Sequence, residues 1–316
     1  MRSLVRFGYV PFVYLVLGGS AVLLAARHAP VGAFPLVVVA GVAVSFTAER
    51  LLPYDDSWNR DRGDGTRDVV HAVVNETLVL ASLAVIPALA ALGLGADRWP
   101  TSLPVVVQVL GAVLAADLGI TLAHVASHRV PVLWRFHAVH HSVTRAYGFN
   151  GLMKHPVSQV LETGAGVLPL VLLGLPGNVA AALAACAGLQ LLLQHSNVDY
   201  RVGSLRVVLA LNEGHRFHHL RWAGVGDVNF GLFTLLWDHL LRTFSFDPGR
   251  RFSSDDLGMA AKPDYPVSWA AQMAEPFRAS GACVTTANPA KVADQAIGDG
   301  PPPFGGMPTP HTGVLD

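Results

Sequence analysis

The chain has 316 residues, of which 52% are hydrophobic and 14% charged, and its mean hydropathy is +0.42. This balance excludes an ordinary water-soluble globular protein and indicates an integral membrane protein. The 22 basic and 22 acidic residues cancel, so the net charge offers no electrostatic basis for binding nucleic acid. We therefore expect a membrane as the surroundings and no nucleic acid as a partner.

Six apolar stretches approach the roughly 20 residues that a membrane-spanning helix needs. They lie at residues 8–26, 30–48, 69–95, 102–123, 157–175 and 177–194. The first follows two arginines, but its apolar run is too long for a signal peptide, so we expect it to be retained. The last two are short and separated only by Gly174 to Gly177, and they form either two full crossings or a hairpin that dips into the bilayer. The sequence thus predicts an all-α, multi-span fold with four to six spans.

The distribution of lysine and arginine among the connections predicts the orientation of these spans. With the N-terminus inside, the outer connections carry only Arg27 and Arg98, whereas the inner segments carry a long series of basic residues from Arg2 to Arg221. We therefore expect both termini on the cytoplasmic side, together with the histidine-rich segments described next.

Ten of the fourteen histidines lie between residues 124 and 219, and eight of them form three tight clusters. Each ring carries a donor and an acceptor that must be satisfied, so this density in an apolar chain indicates bound metal. One zinc takes about three or four protein ligands, and eight histidines therefore suit two ions. Spacings of three and four residues place side chains on one helix face, so each cluster could present two or three rings to a common point. The clusters are His124 with His128, His137 with His140 and His141, and His215 with His218 and His219.

The all-nitrogen set, without nearby cysteines, suits iron, zinc, copper or nickel, and the sequence alone leaves that choice open. Asp117 lies seven residues before His124, on nearly the same helical face, and we expect it to hold a ligand imidazole through its other ring nitrogen. His71 shares a helical face with Asp68 and Asn75 near the inner surface. We expect His71 to support the metal site or helix packing rather than to bind metal.

After about Arg251 the composition changes to Ser, Asp, Pro and Gly, which cannot bury enough apolar surface to fold independently. We predict a cytoplasmic tail over 251–316 that is mostly disordered toward its end. The two cysteines, Cys186 in an apolar stretch and Cys283 in the tail, imply no disulfide framework.

Four short segments accompany the clusters, namely His155-Pro156, His195-Ser196-Asn197, Asn229-Phe230-Gly231 and Trp237-Asp238. In this order and spacing, from Asp117 to Phe244, the chain resembles the fatty acid hydroxylase superfamily, also called the sterol desaturase family, of membrane-bound non-haem di-iron oxygenases. It departs from the family pattern after Asp238, where His239 stands in place of a common arginine and Arg242 in place of a glycine. Residues 1–100 and the tail carry little of this signal.

The resemblance implies a helical membrane fold in which a cytosolic, histidine-rich cap closes over a dinuclear metal site. It divides the chain into N-terminal transmembrane helices over 1–100, a catalytic domain over 101–250 and the tail over 251–316. It assigns two Fe ions to the eight clustered histidines, with His195 as a ninth ligand. Whether His155 also binds metal or only caps the site stays open, and no catalytic side chain beyond the ligands is implied.

The same resemblance implies O2-dependent hydroxylation or desaturation of a membrane lipid, which is a sterol or other terpenoid, a fatty acyl chain or a related lipid. The chain contains no apparent ferredoxin-like or cytochrome b5-like segment, so a separate electron donor of one of these types, with its reductase, is expected. A second hypothesis is a histidine-rich multi-span metal transporter or metal-sensing membrane protein. Its metal site would lie near the middle of the membrane with a pathway to both sides.

Overall fold

The computed structural model describes residues 1–92 and 96–278. Within these residues the chain is helical, with isolated β-bridges but no strand, which confirms the predicted all-α class. The helices are α1 (Arg2–Ala26), α2 (Phe34–Leu51), α3 (Gly65–Ala91), α4 (Val105–Arg129), α5 (Pro131–His141), α6 (Pro156–Leu172), α7 (Gly177–His195), α8 (Asn212–His218), α9 (Leu236–Leu241) and α10 (Trp269–Ala274).

Five helices of the described ranges are long and apolar enough to cross a membrane: α1, α2 with its preceding turn (Val31–Leu51), α3, α4 and α7. This number falls within the predicted four to six. The remaining apolar helix, α6, has 17 residues. Large apolar side chains on the outer faces of the bundle, such as Leu15, Leu36 and Leu110, are more than half exposed, as expected for surfaces that face lipid.

The turn between α6 and α7 reaches the far end of the bundle. The backbone N–H groups of Ala96 and Arg98, in the connection between α3 and α4, donate to the carbonyls of Leu172 and Leu173 over 2.8 and 3.2 Å. Asn178, in the first turn of α7, donates to the carbonyl of Ala25 near the end of α1 over 2.8 Å. The α6–α7 hairpin thus extends as far as its neighbours, which favours full crossing over a shallow dip.

Helix α7 lies at the centre of the bundle because small residues cover much of its surface. Ala181 and Ala182 have no exposed surface, and Gly188 packs directly against Val38 of α2. Small side chains let helices approach closely, and close approach supplies the van der Waals contact that drives helix association in lipid. The central position of α7 carries its C-terminal residue, His195, under the middle of the cap.

Helices α4 and α6 approach each other at two glycines. A Cβ added at Gly119 would lie 2.2 Å from the carbonyl oxygen of Ala165, and one added at Gly166 would lie 2.7 Å from Ile120 Cγ1. Neither position can hold a larger residue without moving a helix. This contact fixes α6 against α4, the helix that carries His124 and His128.

A polar cap covers the opposite end of the bundle from the α6–α7 turn and is built from residues 52–64, 130–155 and 196–278. Arg145 donates to both carboxylate oxygens of Asp64 over 2.7 and 2.8 Å and to the carbonyl of Trp58 over 2.8 Å. Although burial opposes ionisation, this guanidinium lowers the pKa of Asp64 to about 2. Tyr147 donates over 2.6 Å to Asp68, at the start of α3. These bonds fasten the segment after α5 to the first turn of α3.

Residues 252–278, the first part of the predicted tail, pack against the rest of the cap. Phe252 and Leu257 are buried in an apolar cluster with Trp58 and Phe217, and Gln272 of α10 has no exposed surface. The sequence-based prediction weighed the polar composition of this segment and missed the few apolar side chains that anchor it. The remainder of the predicted tail, 279–316, lies outside the described residues.

We expect Gly119→Ala to destabilise the bundle, because its methyl group would clash with the backbone of α6, at a cost of about 1–3 kcal/mol. The matched control is Gly111→Ala on the same helix, where an added Cβ meets nothing within 4 Å. The measurement is the apparent melting temperature of the two purified variants in detergent. Equal melting temperatures would contradict the close approach of α4 and α6.

Candidate metal centre

Nine buried histidines meet beneath the cap in two groups. Within each group, ligand atoms lie within 4.8 Å of one another. The five-histidine group contains His124, His128, His137, His141 and His218, and the four-histidine group contains His140, His195, His215 and His219. The structure thus brings together the eight clustered histidines and adds His195 to them.

The rings come from helix ends that converge at the cap. The last two turns of α4 carry His124 and His128, α5 carries the second cluster, and α7 ends at His195. The third cluster occupies α8 and the residue that follows it. Since α4 and α7 are long helices of the bundle, they position their rings rigidly, and the short helices α5 and α8 close over them.

Each His-x-x-His-His cluster splits between the two groups in the same way. The first and last histidines are one helical turn apart and enter one group, whereas the middle histidine points into the other group. On α5 the single ring is His140, which joins the four-histidine group; on α8 it is His218, which joins the five-histidine group. The sequence suggested that two or three rings of a cluster would share one point, and in the structure each cluster gives two rings to one point and the third to the other.

Most of these rings present the same nitrogen to the centre. Five of them direct Nδ1 at an oxygen acceptor over 2.8–3.1 Å, so the hydrogen lies on Nδ1 and the Nε2 lone pair is free. The pairs are His124 with the carbonyl of Phe230, His128 with Asp227, His140 with the carbonyl of Met153, His195 with the carbonyl of Leu191, and His218 with the carbonyl of Val228.

The Nε2 atoms converge at distances that suit metal coordination. Neighbouring Nε2 atoms lie 3.1–3.2 Å apart in the five-histidine group and 3.0–3.3 Å apart in the four-histidine group. With metal–nitrogen bonds of about 2.1 Å, neighbouring ligand atoms of a four- or six-coordinate site are about 3.0–3.4 Å apart. The Nε2 atoms of His124 and His218 are buried and form no hydrogen bond. The donor set therefore fits a metal ion at each group.

Burial keeps these rings in the uncharged form that binds metal. Burial lowers the pKa of His137 to about 4. It also lowers the pKa values of the five other histidines of the second and third clusters well below the usual value. Neighbouring imidazoles add to this effect because two positive rings would repel. At neutral pH the centre is a set of neutral nitrogen donors.

Asp117 lies close to the centre but contacts no histidine. Its carboxylate accepts hydrogen bonds from the backbone N–H groups of Leu232, Phe233 and Thr234 over 2.8–3.0 Å, and from the Thr234 hydroxyl. Seven residues correspond to about 10 Å along a helix, so the carboxylate lies too deep to reach the His124 ring. Instead of the expected hydrogen bond to an imidazole, Asp117 makes hydrogen bonds that fix the loop after residue 229.

Asp238 holds the same loop from the other side. It accepts from the backbone N–H groups of Phe230 and Gly231 over 2.7 and 2.9 Å and from the Thr243 hydroxyl over 2.7 Å. The carbonyl of Phe230, which orients His124, is thereby fixed in place. The two carboxylates act on the centre through the backbone.

The structure places His155 and His71 outside both groups. His155 caps α6, where its Nδ1 accepts from the backbone N–H of Val157 over 3.1 Å, and its ring packs against Phe136. His71 lies between the carbonyl of Lys154, 3.1 Å from Nδ1, and Gln272 Oε1, 2.8 Å from Nε2. His71 therefore connects α3 to the segment before α6 and to α10 without touching a clustered ring.

Sequence reasoning missed two carboxylates that contact the rings. Glu162 Oε1 lies 3.5 Å from His137 Nδ1, and the same carboxylate pairs with Lys154. Asp227 lies 2.8 Å from His128 Nδ1. Glu162 had a signal, since an acidic residue in an apolar stretch marks a functional position. Asp227 had none, because only the tertiary fold brings residue 227 to α4.

Comparison with known proteins gives consistent matches. The model of the fatty acid hydroxylase family matches residues 109–243. The chain is 33% identical to the ornithine lipid hydroxylase OlsE of Rhizobium tropici over 257 residues, which cover 78% of this chain and 76% of the relative. It is 29% identical to the alkylglycerol monooxygenase of Danio rerio over 134 residues, which cover 42% of this chain and 30% of that protein. No solved structure matches the chain significantly.

We expect Asp227→Asn to weaken metal binding about 10- to 100-fold, because an amide supports the His128 ring less strongly than a carboxylate. The measurement is a metal titration against a competing chelator. Asp247→Asn is the control, since Asp247 bonds only to the backbone of its own exposed loop. Equal affinities in the two variants would show that Asp227 does not support a metal ligand.

We expect the metal-free protein to lose stability in mild acid. The unfolded chain takes up protons on histidine near pH 6.5, whereas the buried rings take them up only at lower pH. Below about pH 6.5 the unfolded state therefore binds more protons, and the free energy of unfolding falls as the pH falls. Melting temperatures of chelator-treated protein between about pH 8 and pH 4 test this. A melting temperature that rises toward acid would contradict burial of neutral rings.

Proposed function

The chain belongs to the fatty acid hydroxylase family, and on that premise we propose that it hydroxylates a membrane lipid with O2 at a pair of iron ions. The observation that carries this proposal is the convergence of free Nε2 atoms in two buried histidine groups at the end of a membrane bundle. Both relatives are named as enzymes that add oxygen to lipids, which favours hydroxylation over desaturation. The ornithine lipid and the alkylglycerol in those names are candidates for this chain's substrate class.

We assign one ion to the five-histidine group and one to the four-histidine group, with His195 as the ninth ligand. When bound, the pair of irons would supply the reductive activation of O2 and the removal of hydrogen from an unactivated C–H bond. We assign His155 to capping α6 and His71 to fastening α3 beneath the cap. The carboxylates of Asp227 and Glu162 would keep the protons of His128 and His137 on Nδ1, away from the ions.

The protein itself would position the lipid and exclude water from the site. A cavity among α3, α4, α6 and α7 ends at Leu191 and Glu162, whose atoms contact His195 and His137. Its wall on α4 and α7 consists of small and apolar residues, of which Ala116, Ala180, Leu183 and Gly188 are buried. A lipid chain in this cavity would displace water and extend from the bilayer toward the histidines.

Hydroxylation places one oxygen atom of O2 in the product and reduces the other to water, which takes two electrons and two protons. We propose that a separate donor of ferredoxin or cytochrome b5 type, with its reductase, delivers the electrons to the cap. The excess of basic residues in the connections on the cap side supports a cytoplasmic position for the cap. We retain 101–250 as the catalytic domain between the N-terminal helices and the C-terminal segment.

The position of the centre supports the enzyme over the metal transporter. A transport site needs a route to both membrane faces and tends to lie near the middle of the bilayer. Both histidine groups instead lie at the cap ends of α4 and α7, where α5 and α8 cover them.

The test is a reaction with purified, iron-loaded protein, a reducing donor system and extracted membrane lipids. We expect about two irons per chain and an O2-dependent product heavier by one oxygen atom. His141→Ala and His215→Ala, one from each group, should lower turnover more than about 100-fold. His28→Gln, in a turn at the far end of α1, is the matched control and should retain turnover.

An intact protein that binds no iron, or that forms the same product without O2, would refute the proposed reaction. Iron uptake into vesicles without lipid oxidation would support the transporter in its place.

A further inference from the structure

The cavity among α3, α4, α6 and α7 changes in polarity along its length. Near the histidines it is lined by Asn75, Glu76, Lys154, Gln159, Glu162 and Thr163. Farther from them the lining is apolar, with Leu83, Val167 and Leu183. From Leu191 to Ala180 the cavity follows α7 for about 16 Å. This gradient suits a lipid whose tail occupies the apolar part and whose polar group lies at the polar end.

Glu76 brings a carboxyl group without a partner to the cavity. Among the residues that the structure describes, none forms a hydrogen bond or ion pair with it. The other two ionisable residues of the lining, Lys154 and Glu162, pair with each other. The polar end therefore holds one unpaired carboxyl group on a membrane-spanning helix. An ionisable side chain at such a position is costly in a bilayer and marks a functional position.

Asn75 adds a second unsatisfied acceptor beside Glu76. Its Nδ2 donates to the carbonyls of Leu152 and Lys154 over 2.8 and 3.0 Å, and these two acceptors fix the orientation of the amide. Its Oδ1 is buried and has no hydrogen-bond partner, and the residue is 3% exposed. A buried acceptor without a donor costs about 1–3 kcal/mol, so a ligand that supplies a donor is favoured here.

We propose that Asn75 and Glu76 bind a primary ammonium group in the headgroup of the lipid substrate. This inference rests on the proposed function and names the class of lipid on which it acts. A primary ammonium group carries one positive charge and three N–H donors and no acceptor, so it complements a carboxylate and an amide oxygen. A quaternary ammonium group offers no N–H and leaves Asn75 Oδ1 unsatisfied, and a neutral headgroup brings no positive charge to the Glu76 carboxyl group.

The open side of the cavity supports access from the bilayer. Most lining residues of α3 and α6, among them Glu76, Val79, Gln159 and Thr163, are half-buried, whereas Ala180, Leu183 and Gly188 of α7 are buried. A lipid can therefore enter between α3 and α6 with its headgroup at the level of Glu76. The wall of α4 and α7 then receives the acyl chain.

The test uses native mass spectrometry to compare how tightly three lipids bind to the purified protein. The three lipids have identical acyl chains. The headgroups end in a primary ammonium, in its N-acetyl derivative, and in a trimethylammonium. We expect the primary ammonium lipid to bind at least about tenfold more tightly than either of the others. A soluble amine without acyl chains should bind more weakly than the lipid, because it leaves the apolar part of the cavity unfilled.

Glu76→Gln should remove this preference and leave the binding of the N-acetyl lipid unchanged. Thr77→Val is the matched control, since the adjacent Thr77 side chain is exposed on the outside of α3 and its hydroxyl donates to the carbonyl of Val73 in the same helix. It should retain the preference for the ammonium lipid.

Equal binding of the three lipids by the wild type would overturn the ammonium site, and so would an unchanged preference in Glu76→Gln. The wild-type comparison needs no variant to fold. Binding is measured without turnover, so the two proposals fail separately. Selective binding without O2-dependent oxidation would refute the reaction and support the site, and oxidation without selectivity would do the reverse.

Discussion

Every imidazole carries two nitrogens, and in a buried place both need a partner. In the two histidine groups, four backbone carbonyls and Asp227 accept from Nδ1 and leave the Nε2 lone pairs facing one another. Two lone pairs about 3 Å apart repel unless a cation or proton lies between them. Burial disfavours the proton, so the arrangement favours a bound cation. Much of the surrounding architecture holds those carbonyls in position.

The loop from Val228 to Thr234 shows how this is done. Its carbonyls orient His218 and His124, and its N–H groups donate to the carboxylates of Asp117 and Asp238. Asp117 lies on the long helix α4, so the loop is fixed to the same helix that carries His124. The His124 ring and the anchor of its supporting loop thus share one rigid element. An acidic side chain deep in an apolar helix contributes here by ordering backbone, and it need not approach the metal.

Much of the centre was predictable because it is local. Apolar runs predict spanning helices, and histidines three or four residues apart on short helices must lie on neighbouring faces, so the three clusters could be recognised from their spacing. The partners of those rings could not. The N–H groups that donate to Asp117 lie 115 to 117 positions farther along the chain, and Asp227 lies 99 positions from His128. The fold of residues 252–278 depends on a few apolar side chains, such as Phe252 and Leu257, within a polar segment. The average composition of the segment does not reveal them.

The crossed pattern of the two His-x-x-His-His clusters couples the halves of the centre mechanically. Helix α5 reaches both groups and so does α8, so neither helix can shift without distorting both sets of donors at once. If each group binds one ion, as proposed, occupancy of one group would order the helix that completes the other. The centre would then fill over a narrow range of metal concentration, and a chain with a single ion would be a scarce species.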